Sequence, residues 1–133
     1  MKLFIDPKDL VEFSLFVGMN AKTNAIDVAD NLETLKKVEG MENSETTELK
    51  FAFRKPTYKD TVSILRGNLT SDGSTLEFDP SRLRYERMVS LISTWNLTDE
   101  KGNLVPANRE SIDKLNPSLA AAIVNRFESA LQL

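Results

Sequence analysis

Residues 6–17, Asp6-Pro7-Lys8-Asp9-Leu10-Val11-Glu12-Phe13-Ser14-Leu15-Phe16-Val17, carry two apolar periods at once. Val11, Phe13, Leu15 and Val17 alternate as in a half-buried strand. Leu10, Phe13 and Val17 fit one side of a helix about as well. Asp6 followed by Pro7 is a helix start, with Asp as N-cap and Pro in the first turn. That start favours a short helix after Pro7, and with it an α-rich fold. Leu3, Phe4 and Ile5 extend the apolar cluster towards the N-terminus.

Downstream of this cluster the chain turns polar. Ile26, Ala29 and Leu32 are spaced as in a weak helix, which Leu35 and Val38 could extend. Glu39 to Thr47, EGMENSETT, has no apolar period and reads as a linker. Glu48 to Lys55, ELKFAFRK, alternates Leu49, Phe51 and Phe53 with polar or small residues, the pattern of a half-buried strand. Pro56 ends it. Thr57 and Asp60 are spaced as a capping box, and Tyr58, Val62, Leu65 and Leu69 then share a helical face ending near Gly67. Ser71 to Ser74 reads as a turn.

Asp79-Pro80 and Asn116-Pro117 are two further cap-and-first-turn pairs. The first opens a stripe of Tyr85, Met88, Val89, Ile92 and Trp95, widened by Leu91. The second opens a stripe of Leu119, Ile123, Val124, Phe127, Ala130 and Leu131. Between them lie a polar turn from Thr98 to Asn103 and a short helix from Arg109 to Leu115, capped by Asn108. These elements predict an α+β fold, mostly α-helical, with one short strand or hairpin packed with three to four helices. Residues 1–47 are expected to form an apolar N-terminal arm and polar linker, and residues 48–133 a compact helical domain.

Composition narrows the chemistry. The 133 residues include 17 Lys+Arg and 20 Asp+Glu, a formal net charge of -3. That balance gives no strong pull on nucleic acid or on an anionic membrane. No histidine and no cysteine is present. Their absence removes the commonest general base, the histidine-based nucleophile systems and every Cys/His zinc site. No apolar run approaches the roughly 20 residues that cross a bilayer. The N-terminus lacks the charged-then-apolar pattern of a signal peptide, so a cytoplasmic location is expected.

The remaining candidates for chemistry have structural uses. Asp27 with Asp30, Asp99 with Glu100, and the acids Asp72, Glu77 and Asp79 match no EF-hand spacing. The single glycines form no phosphate loop. Lys50, Phe51, Phe53, Arg54 and Lys55 place aromatics between basic residues, as an RNA-binding strand does. Without that motif's glycines, the expected arrangement has the two phenylalanines in the core and the basic residues in water. Arg82, Arg84 and Arg87 read as a solvated helix surface.

Two pieces of the chain carry a family resemblance. One is Phe51-Ala52-Phe53-Arg54-Lys55-Pro56-Thr57, a strand that ends in an Arg-Lys-Pro-Thr lead into a helix. The other runs from Trp95 through Asn96-Leu97-Thr98-Asp99-Glu100-Lys101-Gly102-Asn103-Leu104-Val105 to Pro106. Glu110, Ile112, Leu115 and Pro117 follow, and then a closing helix. In these the chain resembles small bacteriophage tail assembly chaperone-like and tail morphogenesis proteins. The resemblance begins at Lys50 and leaves residues 1–48 outside it.

The resemblance implies a non-enzymatic tail assembly protein. It would bind the tape-measure protein or tail subunits by burying amphipathic segments in a groove. The alternative it implies is a stable virion subunit of the neck, tail or baseplate, whose N-terminal arm locks onto neighbouring subunits. The expected partner-binding residues are Phe13, Phe16 and Val17 on the arm, with Ile123 and Phe127 on the last helix. No catalytic residue, metal or cofactor is expected, and no small-molecule substrate, nucleic acid or membrane. The expected partners are other tail or virion proteins, a homo-oligomer being compatible with this, in the host cell cytoplasm or the virion.

Overall fold

The computed structural model of the chain describes residues 1–71 and 76–131, with side chains outside 68–78. The predicted turn Ser71–Ser74 lies largely outside the described residues. Among the described residues, six strands and five helices run in the order β1 (Leu10–Met19), β2 (Ile26–Ala29), α1 (Leu32–Lys36), β3 (Thr46–Arg54), α2 (Tyr58–Asn68), β4 (Leu69–Ser71), β5 (Leu76–Phe78), α3 (Pro80–Leu91), β6 (Ile92–Trp95), α4 (Arg109–Asp113) and α5 (Pro117–Leu131).

The centre of the fold is an antiparallel four-stranded sheet, ordered β2-β1-β3-β6. This overturns the expectation of a mostly helical fold with one short strand. The segment read as a helix after Pro7 is β1, the longest strand, at the middle of the sheet. Its register explains why. Val11 lies opposite Phe53, Phe13 opposite Phe51 and Leu15 opposite Leu49. The odd positions of two alternating segments thus meet on one face, and their pairing outweighs the local Asp-Pro start. Asp6 and Pro7 instead build a turn, in which the Asp9 N–H donates to the Asp6 carbonyl (2.9 Å).

On that face the aromatic rings of Phe13, Phe51 and Phe53 stack, and Trp95 meets Phe51 edge-on. Phe127 of α5 stacks on Phe53 at 4.1 Å between centroids. Met88 and Leu91 of α3, Ile112 of α4 and Leu119 and Ile123 of α5 complete the core. Burying each large apolar side chain contributes about 1.5–3 kcal/mol, so this face carries most of the stability.

The opposite face is covered at one end only. α1 and residues 37–45 fold back over it, with Leu35 and Met41 fully buried. The Met41 methyl lies 2.7 Å from where a Cβ on Gly18 would sit. The stretch read as a linker is therefore packed structure. Its anchor is Asn20, a buried side chain that donates to the Asp27 carboxylate (2.7 Å) and the Glu39 carbonyl (2.9 Å). The Asn20 carbonyl oxygen accepts from the N–H groups of Lys22 and Thr23. Residues 10–29, assigned to an arm on sequence grounds, thus form two strands of the sheet. Only residues 1–8 stand apart from it.

The cap signals other than Asp6-Pro7 lie where the sequence places them. Asp79, Asn108 and Thr57 each accept from first-turn N–H groups, and Asp60 accepts in return from the Thr57 N–H. Two helices are shorter than their stripes suggest. Ile26 and Ala29 belong to β2, and α3 stops at Leu91, after which Ile92 to Trp95 pair with β3.

Candidate protein-contact surface

Three of the five residues expected to meet a partner are core. Phe13, Ile123 and Phe127 are all but fully buried. They stabilise the sheet–helix interface and are not exposed to a partner. Phe16 and Val17 are half-buried on opposite faces of β1, Phe16 across from Ala29 and Val17 across from Val28. Val17 borders a groove of about 740 Å³ between the sheet end and the start of α5, floored by Leu49, Trp95, Leu97 and Leu119. The indole N–H of Trp95 donates to the Val105 carbonyl (2.6 Å) and fixes the groove wall.

The apolar side chains that do face solvent lie elsewhere. In the first segment, Leu3 and Phe4 are 76% and 84% exposed, and Ile5 is exposed beside them. In α2, Tyr58 is 87% exposed, and Val62 and Leu65 are exposed on the same face. At 100° per residue these three lie within about 60° of one another, while Ile64 points well away from them. Ile64 is the buried position. The helix therefore turns its single inward residue to the protein and its stripe outward. Leu69, the fourth member of the expected stripe, belongs to β4.

Both surfaces start at one corner. The first segment leads into β1 and α2 follows β3, and the Lys55 N–H donates to the Asp9 carbonyl (3.1 Å) where the two meet. Lys2 pairs with Asp9 (2.6 Å). That contact and the neighbouring backbone hold the Asp9 carboxyl below its usual range. Asp60 is lowered as well, first by the hydrogen bond from the Thr57 N–H, with the Arg54 cation adding to it. The sequence signalled both stripes but not which would stay uncovered, because periodicity shows a face and not its neighbour.

Several of the residues considered for chemistry are engaged in structure. Asp27 holds Asn20, Asp79 caps α3, and Asp99 accepts from the N–H groups of Lys101 and Asn103. Asp72 and the side chain of Glu77 lie outside what is described. Among the described residues no group of acids is arranged to hold a metal ion. Arg84 and Arg87 of α3 pair with Glu128 of α5, and Arg109 reaches Glu86 and Tyr85. The Tyr85 hydroxyl donates to Asp113 (2.6 Å), which raises its pKa above the usual 10.0. Phe51 and Phe53 face the core, and Lys50 faces water. Among the described residues no helix is long and apolar enough to cross a membrane. No protein family, curated protein or solved structure matches the chain.

Proposed function

We propose that the chain is a bacteriophage tail assembly protein that works by protein–protein contact, binding tape-measure or tail subunits through apolar side chains. The observation that carries this reading is the exposure of two apolar groups, Leu3, Phe4 and Ile5 on the first segment and Tyr58, Val62 and Leu65 on α2. Apolar clusters rimmed by polar residues mark contact sites, and the Phe51–Thr57 and Trp95–Pro106 segments supply the resemblance. The contact is the burial of these side chains against an amphipathic partner. It needs no catalytic residue or cofactor.

A second reading has its own support. A stable virion subunit would use its first residues as a lock on a neighbour, and Leu3 to Ile5 stand clear of the domain beyond the Asp6–Asp9 turn. Quantitative mass spectrometry of purified particles and of infected-cell lysate separates the two. Stoichiometric presence in finished particles supports the subunit, and presence in lysate alone supports the chaperone. Absence from both overturns the proposal.

A further inference from the structure

The free edge of β1 has a defined hydrogen-bonding pattern. Asp9 and Lys55 are a bonded rung of the β1–β3 ladder. In an antiparallel pair the rungs alternate. Val11, Phe13 and Leu15 therefore direct their N–H and C=O groups at β3. Leu10, Glu12, Ser14, Phe16 and Gly18 direct theirs to the other side. On β3 the same alternation points Lys50 away from β1, and its N–H and C=O indeed bond Asn96. β2 runs only from Ile26 to Ala29 and reaches β1 no further than Phe16. The N–H and C=O groups of Leu10, Glu12 and Ser14 thus face an edge with no strand, and among the described residues no side chain bonds them.

Proteins usually block such an edge with proline, charged side chains, a bulge or a covering element. Leu10 to Ser14 has of these only the charge of Glu12, and the irregularity in the sheet lies at Ala52/Phe53 instead. Beside the edge, where β2 stops, is a hollow of about 290 Å³ between Leu15, Ala29 and Ala122, with Asp30 and Arg126 at its rim. It lies on the α5 side, where an inward side chain of an added strand would go.

We propose that this edge accepts the segment Lys2-Leu3-Phe4-Ile5 of a second copy of the chain, which adds as a strand beyond β2. The proposal rests on the reading of the first residues as a lock and names its acceptor. In an extended strand Lys2 and Phe4 share one side and Leu3 and Ile5 the other. Phe4 reaches the hollow, and Leu3 and Ile5 lie on the opposite side of the sheet, the side that Leu10, Glu12 and Ser14 share. The edge carries Glu12, and Asp30 stands beside Arg126 at the hollow, against Lys2 of the incoming segment. The chain's own segment does not do the same. Folded back across the Asp6–Asp9 turn, it would set Ile5 opposite Leu10 and Phe4 opposite Val11, four residues short of Leu15. In the structure its Lys2 is instead held on Asp9.

Size-exclusion chromatography with light scattering on the full chain tests this. Wild type is expected above the 15.0 kDa monomer mass at concentrations up to roughly 0.1 mM, where a dimer with Kd near 10 µM is populated. Ser14→Pro removes an outward N–H that no neighbour uses, a place where an edge strand accepts proline. Phe4→Glu puts a charge where the hollow needs an apolar ring. Each variant alone is expected to weaken self-association at least about tenfold. Mixed together they are expected to form a one-to-one pair, since one keeps the segment and the other the edge. Deletion of residues 2–5, which touches no strand, is expected to give the monomer even if Ser14→Pro does not fold. A monomeric wild type overturns the proposal. So does self-association that survives the deletion, which would mean pairing through another surface such as β1 on β1. Neither result bears on whether the protein is found in particles, so this proposal and the function fail separately.

Discussion

Gly40→Ala is expected to cost about 2–5 kcal/mol of unfolding free energy, a large loss for a substitution that adds one methyl group. Gly40 has a φ of +97°, where an L-residue is strained, and the left-handed region costs a side-chain-bearing residue about 1–2 kcal/mol. The added Cβ would lie 2.1 Å from the Asn20 side-chain oxygen. Asn20 would have to move, although it is buried and makes four hydrogen bonds to Asp27, Glu39, Lys22 and Thr23. Leaving even one buried polar group unpaired costs about 1–3 kcal/mol. Set against a typical domain stability of 5–15 kcal/mol, the loss is large. Urea denaturation gives the number directly, provided the slope is unchanged. The control is Gly67→Ala in α2, where nothing lies within 4 Å of the new Cβ and an alanine in the helix is expected to add about 0.5–1 kcal/mol. In an Asn20→Ala background the Gly40→Ala cost is expected to shrink towards the strain alone, because the clash has been removed. A Gly40→Ala loss below about 1 kcal/mol, or additivity with Asn20→Ala, would refute the view that residues 37–45 are locked through Asn20.

The other expected outcomes follow from single contacts. Thr57→Ala removes the hydroxyl that accepts the Asp60 N–H (3.1 Å) and is expected to cost about 1 kcal/mol, read from the same denaturation curves. Asp60 has its folded pKa below the ordinary 3.8. Its contribution is therefore present above 3.8 and lost as pH falls through the folded value, so Asp60→Asn is expected to flatten the acid limb of a Tm-against-pH curve. Phe53→Ala and Phe127→Ala are each expected to cost about 3–5 kcal/mol. Their double variant should cost less than the sum, since the two rings stack at 4.1 Å and each loses the other as a partner. Deleting residues 1–29 removes two of the four sheet strands and is expected to abolish cooperative unfolding, measured by circular dichroism on heating.

Local signals settled the helix starts and left the sheet partly unread. Asp79-Pro80, Asn108 and Thr57/Asp60 are short-range devices, each satisfied within its own turn, so their reading needed nothing distant. β3 was also legible, because Leu49, Phe51 and Phe53 alternate without a competing helical period. β1 was not, because Phe13 and Val17 belong to both of its periods. The deciding information lay some forty residues away, in the matching alternation of β3. Ile92 to Trp95 failed for a related reason. The helical spacing from Tyr85 is real, but Trp95 is drawn to Phe51 and to the Val105 carbonyl. A helix continued to that point would miss both.

The candidate surface was harder still, and α2 shows why. Tyr58, Val62 and Leu65 form the kind of stripe that ordinarily predicts a core face. Burial requires an apolar partner as well as an apolar face, and here the protein supplies one only for Ile64. Phe13, Ile123 and Phe127 are the converse case. Their strong periodicity suggested a surface on offer to others, yet each one's partner is already in the chain, in Phe51, Phe53 or their neighbours. An amphipathic pattern therefore constrains which side of an element is dry and leaves open whether the drying surface is internal. In this fold α3, α4 and α5 closed on the sheet face, and the stripes of α2 and Leu3 to Ile5 were left over. A small domain has room for few apolar faces in its core, and what decides is which face finds an apolar neighbour, so the search for a partner is directed to the stripes that found none.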